Sequence, residues 1–228
     1  EEDGFLSEDF GECLEERSLA PYFCDLISED TKSPYPLESF NVDKNAVTIM
    51  SRILFGTESV SLLLYGKPGS GKTEFARSLS HATGLKTLVF KNEREVGNKK
   101  ESVIPRLACL LSFAQPDTVL IVDEADTVLK TRDASFWGMT MPSENKGTVN
   151  RMLEANRNKI IWIVNFTNQI DESTLRRFNY SYRFDSMSKE QLRSIAESKL
   201  APLALTSETN AQILDLMEKY SVTGASVD

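Results

Sequence analysis

Gly66-Lys67-Pro68-Gly69-Ser70-Gly71-Lys72-Thr73 has the spacing GxxxxGK[ST], and these residue types in this order suit a polyphosphate. Glycines let consecutive backbone N–H groups turn inward without side-chain obstruction. The loop runs straight into a helix start, where unpaired amides and the helix dipole favour negative charge. Lys72 can reach the β and γ phosphates, and the Thr73 hydroxyl can ligate Mg2+. The octet follows the apolar run VSLLLY (60–65) and precedes the amphipathic stretch TEFARSLSHATG, so a strand leads into a loop and the loop into a helix. In that context the residues read as an ATP or GTP site.

A second constellation, Val119-Leu120-Ile121-Val122-Asp123-Glu124, is an apolar strand ending in two carboxylates. A parallel sheet would bring that end to the same edge as the phosphate loop. There Asp123 would hold Mg2+ through water, and Glu124 would polarise the attacking water as general base. Asp123-Glu124-Ala125-Asp126 also spells a helicase box, but no Ser-Ala-Thr follows it. The remaining residues also leave no room for a second lobe of that kind.

The elements that must position these groups are legible as periodicity. Ala46, Val47, Met50, Ile53 and Leu54 recur at helical spacing, and Gly56 stops them. KTLVF (86–90), TVLIVD (118–123), KIIWIV (159–164) and YSYRF (180–184) add four strand candidates to the first, and 103–114 reads as a helix interrupted early by Pro105. Continuous apolar strands alternating with helices predict an α/β fold, a parallel five-stranded sheet in an αβα sandwich. After Asp185 the strands stop; Ser188 and Gln191 have capping-box spacing, and two helices follow. The expected organisation is an acidic arm and linker (1–36), a large nucleotide-binding subdomain (37–186) and a partial helical lid (187–228). Eight acids against one base in the first 17 residues mark the arm, and Pro34 and Pro36 mark the linker.

Composition narrows the classes. The 228 residues are 40% hydrophobic and 26% charged, with 11 Gly and 8 Pro, which excludes a disordered or collagen-like chain. Cys13, Cys24 and Cys109 are too scattered for a disulfide or zinc framework, and together with the absence of a signal-like start they predict a reducing cytoplasm. No apolar run spans a bilayer. A net charge of −8 opposes nonspecific attraction to nucleic acid, though a locally basic groove would be compatible with it. The chain opens on Glu1 without a methionine, which points to a segment of a longer protein. His81 reads as a surface residue near a helix C-terminus, Trp162 as core. Ser70 and Cys109 lack the His–acid companions of a nucleophile.

Trp162–Phe178, WIVNFTNQIDESTLRRF, resembles the second region of homology of the AAA+ ATPases, the P-loop NTPases that form ring-shaped remodelling machines. In that family a strand ends in the sensor asparagine, an Ile/Leu-Asp pair follows, and arginines follow that. Asn165, Ile170-Asp171 and Arg176-Arg177-Phe178 match at that spacing, whereas Asn168 lies too close to Asp171. The resemblance implies Mg-ATP hydrolysis with Glu124 and Asn165 in the site. It implies that Arg176 and Arg177 enter a neighbour's site in a homo-oligomeric ring, a hexamer, and that the remodelled substrate is a protein. It further places Gly224-Ala225 against adenine. An ATP-dependent assembly switch and a DNA-related loader are the alternatives. The pore stretch Glu95-Val96-Gly97 lacks the aromatic of threading members, Lys99-Lys100 beside it fit a solvated loop equally well, and Val164 replaces the usual threonine. The insert 130–147, with Phe136, Trp137, Met139 and Met141, suits either a partner grip or a lid over the sheet edge.

Overall fold

Leu62, Leu63 and Leu64 are all inaccessible to solvent, yet successive residues of a strand face opposite sides. The strand carrying them must be covered on both faces. The computed structural model describes residues 27–31, 35–56, 59–90, 103–113, 117–133 and 141–187, with a few isolated positions beyond. In chain order these form β1 (Ile27–Glu29), a 3-10 turn (Leu37–Ser39), α1 (Lys44–Phe55), β2 (Val60–Gly66), α2 (Lys72–His81), β3 (Lys86–Phe90) and α3 (Val103–Phe113). There follow β4 (Thr118–Val122), the short pair β5 (Arg132–Asp133) and β6 (Met141–Pro142), α4 (Lys146–Glu154), β7 (Lys159–Val164), α5 (Glu172–Leu175) and β8 (Tyr180–Phe184).

The main sheet has the order β1-β3-β4-β7-β2-β8. Five strands are parallel, as expected, in a mostly parallel αβα sandwich. Leu62, Leu64, Ile161 and Ile163 pack on one face with Met50 and Leu54 of α1 and Phe75 and Leu79 of α2. Leu63, Leu120, Ile160 and Trp162 pack on the other with Leu107 and Leu110 of α3 and Val149 and Leu153 of α4. Trp162 is wholly buried, edge-on to Phe178 at 6.5 Å between ring centroids. Each such fully buried apolar side chain contributes about 1.5–3 kcal/mol over its exposed state.

The N-terminal ends of the strands have no ladder partners beyond them, and asparagines supply the bonds. The Asn156 amide donates to the Asn158 carbonyl at 2.8 Å and to Val60 O and Ser61 Oγ at 3.3 Å, and its oxygen accepts from Asn158 N at 2.8 Å. Asn158 donates to Leu111 O at 2.6 Å, tying α3 to this edge, and Asn179 Oδ1 accepts from Ser61 N at 2.7 Å. Lys159, also buried, caps the last turn of α1 by donating to Leu54 O at 2.7 Å.

Three expectations change. The segment expected as arm and linker (1–36) contributes to the sheet: Ile27–Glu29 form a sixth, antiparallel strand on β3, with Ser28 opposite Val89. Pro105 does not interrupt α3, because it sits in the first turn, where its missing N–H has no intrahelical acceptor anyway. His81 is not simply on the surface: its Nε2 lies 3.1 Å from the buried Asp30 carboxylate, which also faces Arg77 Nε at 3.7 Å. The base of the 130–147 insert is a two-stranded ribbon, and Met141 on it is 62% exposed. The acidic arm, Glu95-Val96-Gly97, Lys99-Lys100, Phe136, Trp137, Met139, the Ser188–Gln191 cap and Gly224-Ala225 lie outside the described residues. Among the described residues no helix is long and apolar enough to cross a membrane.

Asn156→Ala removes four hydrogen bonds made by a buried amide, so it is expected to destabilise by about 2–3 kcal/mol in urea unfolding with an unchanged slope.

Candidate active site

The strand order brings the chemistry together. In parallel register Tyr65 of β2 lies opposite Val164 of β7, and Val122 of β4 opposite Trp162. The residues that follow each strand end, the phosphate loop, Asn165 and Asp123, therefore meet at one edge, with Asn165 in the middle. This is a crossover point of the sheet, because β2 is followed through α2 by β3, three places away in the order.

Two glycines make the loop possible. A Cβ on Gly66, whose φ is +147°, would lie 2.2 Å from Phe184 O. Gly71 caps α2 with φ +83°, and a Cβ there would meet Met187 Cε at 2.9 Å. Inside the turn, Lys72 Nζ donates to Gly66 O at 2.7 Å, to Lys67 O at 2.9 Å and to Asn165 Oδ1 at 3.2 Å. Burial pulls the pKa of this ammonium below the usual lysine range, opposed by the nearby Asp123 and Asp126 carboxylates. Ser70 Oγ is buried in the loop and, among the described residues, has no hydrogen-bond partner. A buried orphan hydroxyl and a desolvated ammonium inside a glycine turn fit an anion with several acceptor oxygens.

Thr73 Oγ1 donates to Asp123 Oδ2 at 3.0 Å, so the hydroxyl and carboxylate suited to Mg2+ already adjoin. A hard cation held by one carboxylate and a hydroxyl, with water and phosphate completing the shell, suits this oxygen set. The exposed Glu124 has φ +49°, a left-handed conformation that costs a non-glycine residue about 1–2 kcal/mol. It is held there by Glu124 N donating to Asp123 Oδ1 at 2.9 Å and Ala125 N to Ile163 O at 2.8 Å. Such strain concentrates at functional positions.

Asn168 sits exposed in the turn past β7, while Asn165 touches Lys72. Asp126, which spacing alone treats as one letter of a helicase box, accepts from Asn165 N at 3.0 Å and from Phe166 N at 3.2 Å. Gln169 Nε2 donates to Asp126 Oδ1 and O, both at 3.2 Å. Sequence offered an acid just past a strand end as the only signal for this group.

The two arginines differ. Arg177 Nε donates to Glu154 Oε1 of α4 at 2.9 Å, and its Nη1 donates to Ser173 O. Arg176 is exposed and, among the described residues, makes no ion pair or side-chain hydrogen bond. Asp171 caps the helix before them, accepting from Ser173 N at 2.9 Å, from Ser173 Oγ at 2.5 Å and from Lys146 Nζ at 2.9 Å. The Ser173 hydroxyl first, then Lys146, holds its carboxyl well below the usual carboxylate range.

A nucleotide-binding αβα module with a glycine phosphate loop is the class that this fold and site define. The sequence pattern of the ATPase family associated with various cellular activities (AAA) matches residues 62–186, more than half of the chain, and the chain belongs to that family. It is 25% identical over 177 residues to Fidgetin-like protein 1 of Drosophila melanogaster, covering 73% of this chain and 33% of that protein. It is 28% identical over 180 residues to Spastin of Anopheles gambiae, covering 72% of this chain and 21% of that one. The chain thus spans about a third or less of the curated relatives it matches. The crystal structure of the FIGL-1 AAA domain in complex with ADP superposes with a TM-score of 0.61 at 16% identity, over 89% of this chain and 73% of that one, and supports the fold.

Two outcomes follow from the geometry. Arg176→Ala is expected to leave the melting temperature unchanged, whereas Arg177→Ala, which breaks a partly exposed ion pair of about 1 kcal/mol, lowers it by about 2–4 °C. The stability that Asp171 adds is fully present above the unfolded carboxylate pKa of about 3.9 and is lost as pH falls towards its depressed folded value. In urea titrations between pH 5 and 2.5, Asp171→Asn should therefore lose less stability than the parent.

Proposed function

We propose that this chain is the Mg-ATP-binding and ATP-hydrolysing module of an oligomeric AAA+ machine, with Arg176 serving the site of a neighbouring copy. The observation that carries this reading is the meeting of Lys72, Asn165 and the Asp123-Glu124 pair at one sheet edge. Backbone amides of 66–72 and the Lys72 ammonium bind the polyphosphate. Thr73 and Asp123 hold Mg2+, which when bound neutralises charge on the phosphate oxygens. Glu124 at the exposed rim takes the proton of the water that attacks the terminal phosphorus, and ADP leaves. The Asn165 amide orients that water. Arg176, planar and solvent-facing, stabilises the charge that develops on the phosphoryl group next door, while Arg177 stays committed to Glu154.

The assembly is a ring of like subunits, a hexamer, and its substrate a protein, which a net charge of −8 favours over nucleic acid. The alternative of an assembly switch differs in binding ATP with little turnover.

Mixing variants tests both halves of the proposal. Glu124→Gln is expected to bind ATP but to hydrolyse it roughly 10²–10⁴-fold more slowly. Arg176→Ala should lose roughly 10³-fold or more in kcat. An equimolar mixture should regain activity, because a Glu124→Gln subunit can lend Arg176 to an Arg176→Ala neighbour with an intact base. A parent rate that does not rise with protein concentration, or a mixture no faster than its parts, would sink the shared site. Tight ATP binding without turnover would replace the motor with a switch.

A further inference from the structure

We infer that Asp126 is a positioning residue, one that sets the Asn165 amide against Lys72 and links it through Gln169 to the segment that displays Arg176. The inference rests on the ATPase reading above and deepens it.

β7 ends at Val164, level with the end of β2, so the N–H groups of Asn165 and Phe166 lie past the ladder. A carboxylate is the strongest acceptor available to two such groups, and Asp126 takes both: Asn165 N reaches Oδ1 at 3.0 Å and Oδ2 at 3.1 Å, Phe166 N reaches Oδ1 at 3.2 Å. That fixes the backbone from which the Asn165 side chain extends to Lys72 at 3.2 Å. A freely rotating amide there would be a poor sensor, because a misplacement of about 1 Å at a reacting centre costs roughly 100-fold.

The same carboxylate is tied onward. Gln169 Nε2 donates to Asp126 Oδ1, and Gln169 O accepts from Thr131 N at 3.1 Å and Arg132 N at 3.0 Å. Thr131 is wholly buried, and its hydroxyl accepts from Asp171 N at 2.8 Å, at the N-cap of the helix that ends at Arg176. One unbroken set of hydrogen bonds therefore runs from the γ-phosphate end of the site, through Asp126, to the arginine-bearing segment. Among the described residues Asp126 forms no hydrogen bond with the phosphate loop; its charge favours the Lys72 ammonium from nearby, and its hydrogen bonds reach the site through Asn165.

The test compares Asp126→Ala, Asp126→Asn and Gln169→Ala with the parent. The readouts are hydrogen exchange at the Asn165 and Phe166 amides, affinity for ATPγS and for ADP, kcat and KM for ATP, and melting temperature. In Asp126→Ala both amides should exchange faster, ADP affinity should stay within about threefold, and the preference for ATPγS over ADP should shrink. Its kcat should fall by roughly 10–100-fold with KM little changed. Asp126→Asn, whose amide oxygen still accepts from both N–H groups, should recover most of kcat. Unchanged amide exchange and unchanged ATPγS preference in Asp126→Ala and Gln169→Ala would overturn the inference. Parallel loss of ADP affinity and melting temperature would overturn it too, making Asp126 a brace of the fold alone. If the parent binds ATPγS without turning ATP over, the hydrolysis reading fails, and exchange and the affinity ratio still decide the role of Asp126.

Discussion

A buried ammonium sets the terms for the rest of the molecule. Removing the Lys72 charge from water is unfavourable unless acceptors surround it. The chain supplies them from two separate places: the carbonyls of its own loop and the amide at the end of β7. Supplying both requires β2 and β7 to end level with one another, which the parallel register achieves. It also requires a loop tight enough to fold its carbonyls back onto its own lysine. Only residues without a Cβ fit where Phe184 presses against Gly66.

The two edges of the sheet are built to opposite rules. Along the edge where the strands begin, Asn156, Asn158 and Asn179 hydrogen-bond the backbone of neighbouring segments and tie them together. Along the edge where they end, Ser70 Oγ has no partner among the described residues, Lys72 is desolvated and Glu124 is twisted into a left-handed conformation. Natural proteins keep local rules nearly everywhere and break them at sites of action.

Much of this was legible beforehand, for definite reasons. Strands covered on both faces read as unbroken apolar runs, so β2, β4 and β7 announce themselves. The phosphate loop and acid pair combine rare spacings with the right neighbours. What escaped was whatever depends on distant chain segments. Ile27–Glu29 has no alternation long enough to signal a strand and exists because β3 offers it an open edge. Asp126 and Gln169 are ordinary polar residues until β4 and β7 lie side by side. Arg176 and Arg177 are indistinguishable as letters, and the fold separates them by placing Glu154 of α4 and the Ser173 carbonyl beside Arg177.

The short strand β1 has a consequence for solubility. Without it, β3 would end the sheet, with Val89 and Phe90 buried and a row of backbone donors and acceptors facing outward. An open, apolar, parallel edge of that kind recruits strands from other molecules. Among the described residues Ile27–Glu29 occupy it, fastened by Glu29 to Lys86 and by Asp30 to His81 and Arg77. Because Arg77 and His81 belong to the helix that rises from the phosphate loop, the edge guard is anchored to the nucleotide-binding element itself. A mutation loosening α2 would thus disturb the phosphate loop and unlatch the sheet in one stroke, adding a gain of stickiness to a local change.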